Sequence, residues 1–269
     1  MNIIEEIFEY PFLIKIFAKT NLLLNDKDKI NLIQTCKNIK NKREKFLFDI
    51  QYKIGKKDYD KWYFNCLTNV IVKNILILPN FVSHLTFHHK FNDSIKERIP
   101  NSVKYLKFGI YFNQTVSKNG IPNSVKYLEF GTNFNQSIIN SIPNSVEYLK
   151  FGMCFNQLIK GCIPNSVKHL EFGMCFDKPI NNAIPNSVTR LIFGYWFNQN
   201  IEGSIPNSVK CLFFGISFNK SIKGNIPSSV TCLNINFNEN LEDSIPSSVK
   251  QLRVGFRSCV FINNKWSIH

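Results

Sequence analysis

The sequence predicts a β-rich solenoid with one short parallel strand in each coil of about 21 residues, preceded by a small α-helical N-terminal domain. Three observations carry this. Nine prolines, Pro79, Pro100, Pro122, Pro143, Pro164, Pro185, Pro206, Pro227 and Pro246, recur at steps of 21, 22, 21, 21, 21, 21, 21 and 19 residues. Around most of them the words IPNSV, L-x-F-G and F-N return in the same order. Within a unit the apolar residues alternate with polar ones over a few positions only, the pattern of a short half-buried strand. The chain divides on this basis into residues 1–50 (helical), 51–78 (connector and N-terminal cap), 79–262 (about nine repeat units) and 263–269 (C-terminal tail).

Counting each proline as position one, the unit that begins at Pro122 places Val125, Leu128, Phe130, Phe134, Ile138 and Ile142 toward a core. The strand is expected over Tyr127 to Phe130. Pro-Asn-Ser supplies turn chemistry before it, with proline expected at the second turn position and Asn and Ser bonding nearby backbone. Glycine at position ten (Gly109, Gly131, Gly152, Gly173, Gly194 and Gly215) marks a sharp turn or a close approach between coils. Extended or short 3₁₀ backbone is expected on the remaining sides, since strand and turns leave no room for a helix. Asparagine after the second phenylalanine recurs from Asn92 to Asn238, with Asp177 as the one substitution, and is read as a stacked column that both donates and accepts. The last unit loses its F-N pair and drifts into Phe261, Asn263 and Trp266, as a sealing end should.

Composition narrows the function. The formal net charge is +14, but only five of the 33 cations are arginines, the residue whose fork suits phosphates and guanines. A chain crowded with Asn, Ile, Lys and Phe also resembles the product of an A/T-rich coding sequence, and nucleic acid is therefore disfavoured as a partner. No secretory signal is expected from the acidic first residues, and no stretch reaches the roughly 18 apolar residues of a transmembrane segment. Asn69 to Leu78 reads instead as a buried strand. Eight cysteines without a C-x-x-C pair place the chain in a reducing, cytoplasmic compartment. Cys154 and Cys175 share a repeat position, as do Cys211 and Cys232, so each pair lies within disulfide range on adjacent coils, with reduced packing residues as the other reading. Five histidines, including His84, His88 and His89, show no ligand-spaced companions, and no phosphate loop or nucleophile elbow is present. The expectation is a non-enzymatic protein without cofactor or metal.

The motif IPNSVKYLEFG..FNQSI resembles FNIP repeats, a leucine-rich-repeat-like family known mainly from slime moulds and giant viruses of amoebae. The resemblance covers about residues 76–262 and implies a binding scaffold with no chemistry of its own. Further upstream, Pro11-Phe12-Leu13-Ile14-Lys15-Ile16-Phe17 followed by Asp28 to Lys37 resembles an F-box, with about four extra residues before Cys36 and no tryptophan after Lys37. That likeness implies docking onto a Skp-type adaptor of a cullin ubiquitin ligase through Pro11, Ile14, Ile16, Phe17, Leu32, Ile33 and Cys36, with the solenoid choosing a client. The other reading makes residues 2–48 a helical cap for the first coil.

Outward strand positions form columns. Position six runs His84, Tyr105, Tyr127, Tyr148, His169, Arg190, Cys211, Cys232, Gln251, and position eight runs Thr86, Lys107, Glu129, Lys150, Glu171, Ile192, Phe213, Asn234, Arg253. Alternating charge at a coil spacing of about 4.8 Å avoids repulsion, a structural explanation that needs no ligand, and tyrosines in register can stack for stability alone. Ile192 and Phe213 break the alternation, with Arg190, Tyr195 and Trp196 nearby in sequence. Together with Tyr105, Tyr127, Tyr148 and His169 these form the expected client surface, unless the C-terminal tail covers them. A lysine column at position five, interrupted by Glu147, Thr189 and Thr231, is what a nucleic-acid or anionic-membrane binder would use.

Overall fold

In-register repeats can bury their apolar sides only against one another, and the chain does so as one continuous stack. The computed structural model describes residues 82–236 and 244–255, together with the backbone of 69–72, 257–262 and 265–268. The residues of the F-box resemblance, Pro11 to Cys36, and Asn238 in the asparagine column lie outside the described residues. One sheet runs through the molecule in chain order: β1 (Asn69–Val72), β2 (His84–Phe87), β3 (Tyr105–Lys107), β4 (Tyr127–Glu129), β5 (Tyr148–Lys150), β6 (His169–Glu171), β7 (Arg190–Ile192), β8 (Cys211–Phe213), β9 (Cys232–Ile235), β10 (Gln251–Val254), β11 (Arg257–Ile262) and β12 (Lys265–Ile268). Strands β1 to β10 are parallel, one per coil. The register pairs Tyr105 with Tyr127, Tyr127 with Tyr148 and Tyr148 with His169, so equivalent repeat positions meet. β4 ends one residue before the expected Phe130. β11 and β12 are antiparallel, a hairpin on the edge of β10, so the segment read as a tail adds strands at the end of the sheet. No helix occurs among the described residues, and turns join the extended segments.

The six apolar positions of the unit form the core: Val125, Leu128, Phe134 and Ile138 are fully buried, and Phe130 and Ile142 nearly so. Two phenylalanine columns run through it. Phe108, Phe130, Phe151 and Phe172 stack at ring-centroid distances of 5.4, 5.6 and 5.7 Å, and Phe112, Phe134, Phe155 and Phe176 at 6.0, 6.1 and 6.2 Å. On the outer sheet face Tyr105, Tyr127 and Tyr148 stack at only 4.1 and 4.2 Å. Rows that widen from the sheet's outer face into the core bend the stack toward that face, which is therefore the concave side.

Three corrections to the turn chemistry follow from the hydrogen bonds. Val125 N donates to Pro122 O and Val146 N to Pro143 O, so proline is the first residue of its turn, not the second. The serine hydroxyl bonds across coils instead of locally: Ser145 Oγ donates to Val125 O at 2.7 Å, and Ser102 to Ser248 repeat the contact. The asparagine column works only as an acceptor. Asn156 N donates to Asn135 Oδ1 at 2.9 Å, and so does Gln157 Nε2. Asp177 fits because only oxygen is used; it accepts from Asn198 N at 2.9 Å and Gln199 Nε2 at 2.8 Å. The column lies at a half-exposed edge of the coil, not among buried turns.

Position ten is glycine because the coils approach closely there. A Cβ on Gly152 would fall inside the carbonyl oxygen of Gly131, and one on Gly173 inside that of Gly152. None of these glycines has a positive φ. The left-handed position lies in the later turn, where Glu97 (φ 56), Asn140 (φ 55) and Gly161 (φ 72) alternate in the same role.

Replacing Asn135 by Ala removes the acceptor for two donors and is expected to cost about 1–3 kcal/mol, whereas Asn135→Asp stays within about 0.5 kcal/mol of the parent. Chemical denaturation of both variants checks this; equal losses would show that the amide NH₂, not the oxygen, carries the column. Gly152→Ala forces carbonyl and methyl together and is expected to cost about 3 kcal/mol or more, read as a fall in thermal midpoint.

Candidate protein-interaction surface

The concave face has two chemically distinct halves. From β3 to β6 it is closed upon itself. Tyr105, Tyr127, Tyr148 and His169 cover each other's ring faces, with the last pair at 4.2 Å. Lys107 pairs with Glu129 at 2.9 Å and Lys150 with Glu171 at 2.8 Å. Tyr127 and Tyr148 hydroxyls donate to Glu129 and Glu171 at 3.1 and 3.3 Å. Burial, then the hydrogen bond with Tyr105, pushes the Tyr127 phenol above its ordinary value, and burial raises Tyr148 as well. Glu171 is held at about 2 by the facing His169 imidazole and, against the effect of burial, by Lys150 and Tyr148. Of these the Lys150 and Tyr148 contacts are of hydrogen-bond length; His169 Nε2 stands 3.8 Å from the carboxylate and has no hydrogen-bond partner. The aromatic faces are spent on one another, so this half offers edges and neutralised charges.

From β7 onward the chemistry changes. The Arg190 guanidinium lies 4.7 Å over the Phe213 ring, joining adjacent coils. Ile192 and Phe213 are half-buried as register neighbours on β7 and β8. The C-terminal hairpin pairs with β10, two strands beyond β8, and so extends the sheet's end instead of pairing beside Ile192 and Phe213. Cys211 and Cys232 are also register neighbours, and the described cysteines are free thiols.

Tyr195 and Trp196 are not on the sheet. They occupy the turn after the strand glycine and touch edge to face at 4.7 Å. They belong to a feature that position counting on the strand did not reveal. Of the nine large hydrophobic residues exposed among the described ones, seven fall in the two places after that glycine: Ile110, Tyr111, Met153, Met174, Tyr195, Trp196 and Ile216. Four consecutive coils, from Met153 to Ile216, carry one without interruption, and Trp196 is 53% exposed. The signal was present in the sequence as an apolar residue directly after the repeat glycine, where a loop would ordinarily be polar. This rim is rigid at its base, since Cys175 N donates to Met153 O, Trp196 N to Met174 O and Ser217 N to Tyr195 O from coil to coil. Between rim and position-eight column lies a shallow groove of about 340 Å³, lined in part by Lys107, Ile110, Glu129, Lys150, Met153 and Glu171.

Among the described residues no three His, Cys, Asp or Glu side chains come together as metal ligands; His88 and His89 touch each other while His84 stacks on Tyr105. The position-five column is broken by charge as well as by sequence, because Glu147 bonds both Lys126 (3.1 Å) and Lys168 (2.9 Å).

A parallel one-strand-per-coil solenoid with in-register asparagines and a continuous sheet defines the class of leucine-rich-repeat-like proteins. The FNIP Repeat profile matches residues 73–111, 91–133, 112–154, 134–175, 155–195, 176–217 and 218–256, and the chain belongs to that family. Among solved structures it is similar to the crystal structure of CroV588, described as a novel circular LRR protein, with 40% identity and a TM-score of 0.68. The similarity covers 79% of this chain and 32% of CroV588, so this chain spans about a third of that protein's length. No curated protein matched.

Glu171 holds Lys150 and Tyr148 of the preceding coil, and its lowered pKa sets a pH dependence. Its contribution is complete above the ordinary value of 4.5 and is lost as pH falls toward about 2. Glu171→Gln should therefore lower the thermal midpoint at pH 7, with the gap to the parent closing between pH 5 and pH 2. A gap that stays constant across that range would show that the carboxylate's charge is idle.

Proposed function

We propose that this chain is a non-enzymatic recognition module whose apolar rim and the β7–β8 sheet surface take a protein client, in a reducing cytoplasmic compartment. The observation that carries this is the unbroken exposed row Met153, Met174, Tyr195, Trp196 and Ile216, built on a hydrogen-bonded base. A backbone fixed from coil to coil presents these side chains at set positions and limits the main-chain freedom lost on contact, which favours a specific interface. Arg190 over Phe213 extends the row onto the sheet. The position-five column is interrupted by Glu147, which pairs with Lys126 and Lys168, and by Thr189 and Thr231, and the tyrosines stack on one another; a broken track of cations and covered ring faces speak for protein over nucleic acid.

The same reading extends to a substrate-recognition subunit of a cullin-type ubiquitin ligase. Its support is the resemblance of Pro11, Ile14, Ile16, Phe17, Leu32, Ile33 and Cys36 to an F-box, which would bind a Skp-type adaptor. A plain repeat scaffold without that adaptor is the alternative, with residues 2–48 as a cap.

Affinity purification of the full chain with mass spectrometry tests both levels. The adaptor is expected with the parent and should disappear on Phe17→Ala, whereas Trp196→Ser with Met174→Ser should lose the client at least tenfold and keep the adaptor. The double change Ile192→Lys, Phe213→Lys is expected to act likewise. A parent that recovers no adaptor leaves the scaffold reading; client capture that survives all four solenoid changes moves the site elsewhere.

A further inference from the structure

The return side of each coil, opposite in sequence order to the rim, carries a surface of another kind. After about position seventeen the described coils close a hydrogen-bonded turn: Arg98 N donates to Ile95 O, Gly120 N to Ser117 O, Ser141 N to Ile138 O and Cys162 N to Ile159 O. The second residue of that turn thus takes the same place coil after coil, as Lys96, Lys118, Ile139 and Lys160. Ile139 and, on the next coil, Leu158 are each 66% exposed, more than any other large hydrophobic residue described. Both are unsupported by the aromatic rim. Lys96, Lys118 and Lys160 are exposed, Arg98 adds a fourth positive charge and Glu97 one negative, and none of these five forms an ion pair with a described residue. In the following coils Asn181 and Glu202 take the lysine place, which ends the patch.

We propose that this patch docks peripherally on an anionic lipid bilayer. Two protruding aliphatic side chains enter the headgroup region while the flanking cations meet lipid phosphates, a division of labour that suits an interface apolar on one side and charged on the other. A nucleic-acid duplex would use the cations and leave Ile139 and Leu158 facing water, and the patch offers no aromatic face for a base. No described helix is long and apolar enough to cross a membrane, so the contact is a surface one. It leaves the rim free for its client.

Sedimentation of the full chain with vesicles tests the assignment. Vesicles of phosphatidylcholine with about a third phosphatidylserine should carry the protein down at 0.1 M salt, pure phosphatidylcholine vesicles should not, and binding should weaken as salt rises. Ile139→Ser with Leu158→Ser, and separately Lys118→Glu with Lys160→Glu, should each reduce partitioning, the latter by about fivefold per lysine or more. Because all four side chains are exposed, thermal midpoints should hold, and Trp196→Ser should leave vesicle binding unchanged. The proposal is overturned if the parent stays in the supernatant, if the aliphatic double variant binds as the parent does, or if a short DNA duplex competes fully and only the lysine variant loses binding.

Discussion

The separation of adjacent coils is fixed where the backbone carbonyl of one repeat glycine occupies the space a Cβ would need on the next. Every other column is a consequence of that spacing. With the backbones locked at the glycine, the acceptor oxygen of Asn135 reaches Asn156 N at 2.9 Å, the hydroxyl of Ser145 reaches Val125 O at 2.7 Å, and Phe130 and Phe151 stack at 5.6 Å. These contacts reinforce each other because each demands the same translation. A single side chain at position ten would disturb strand, turn and core together, which is why all six of these coils keep glycine without needing an unusual φ.

The spacing also shapes the surface. Rows that are 4.1–4.2 Å apart at the tyrosines and 6.0–6.2 Å apart at the second phenylalanine column bend the stack so that outward strand residues crowd together. Crowding makes Tyr105, Tyr127 and Tyr148 partners for one another and leaves little of their faces for a ligand. The turn residues beyond the strand are spread over a hydrogen-bonded base and keep their side chains in solvent. Recognition capacity therefore moves from the sheet to its rim, where Tyr195 and Trp196 stand.

Much of this architecture was legible in the sequence. Proline spacing gave the coil, Leu128 and Phe130 the buried strand face, and the position-six and position-eight columns matched the observed register residue for residue. The turn chemistry was less legible because it is not local: the partners of Ser145 and Asn135 sit a whole coil away, and only the interchangeability of Asn with Asp177 hinted that an oxygen alone is required. The rim was missed for a related reason. Met153 and Met174 have no role in burying the core, so a pattern search for core positions passes over them, and their meaning appears only when adjacent coils place them side by side. Tyr195 and Trp196 were singled out for their type and their nearness in sequence to Ile192, and their place in the turn after Gly194 appears only in the structure.

The change in chemistry between β6 and β7 can be understood as a limit on how far self-neutralising columns extend. Lys107 with Glu129 and Lys150 with Glu171 each join two coils, and their neighbours Tyr127 and Tyr148 complete the acceptor's hydrogen bonds. Continuing that pattern would require a lysine at 192 and an acid at 213. Ile192 and Phe213 end it, and Arg190, without a carboxylate in the next coil, settles on the Phe213 ring. A guanidinium on an aromatic face retains most of its hydrogen-bonding edge, so it can still receive an incoming carboxylate or carbonyl. In the closed half Lys107, Lys150, Tyr127 and Tyr148 already have their carboxylate acceptors, and a partner gains little by displacing them. In the open half the donors and the apolar surface remain available in the same place, and this difference makes one end of an otherwise uniform stack selective.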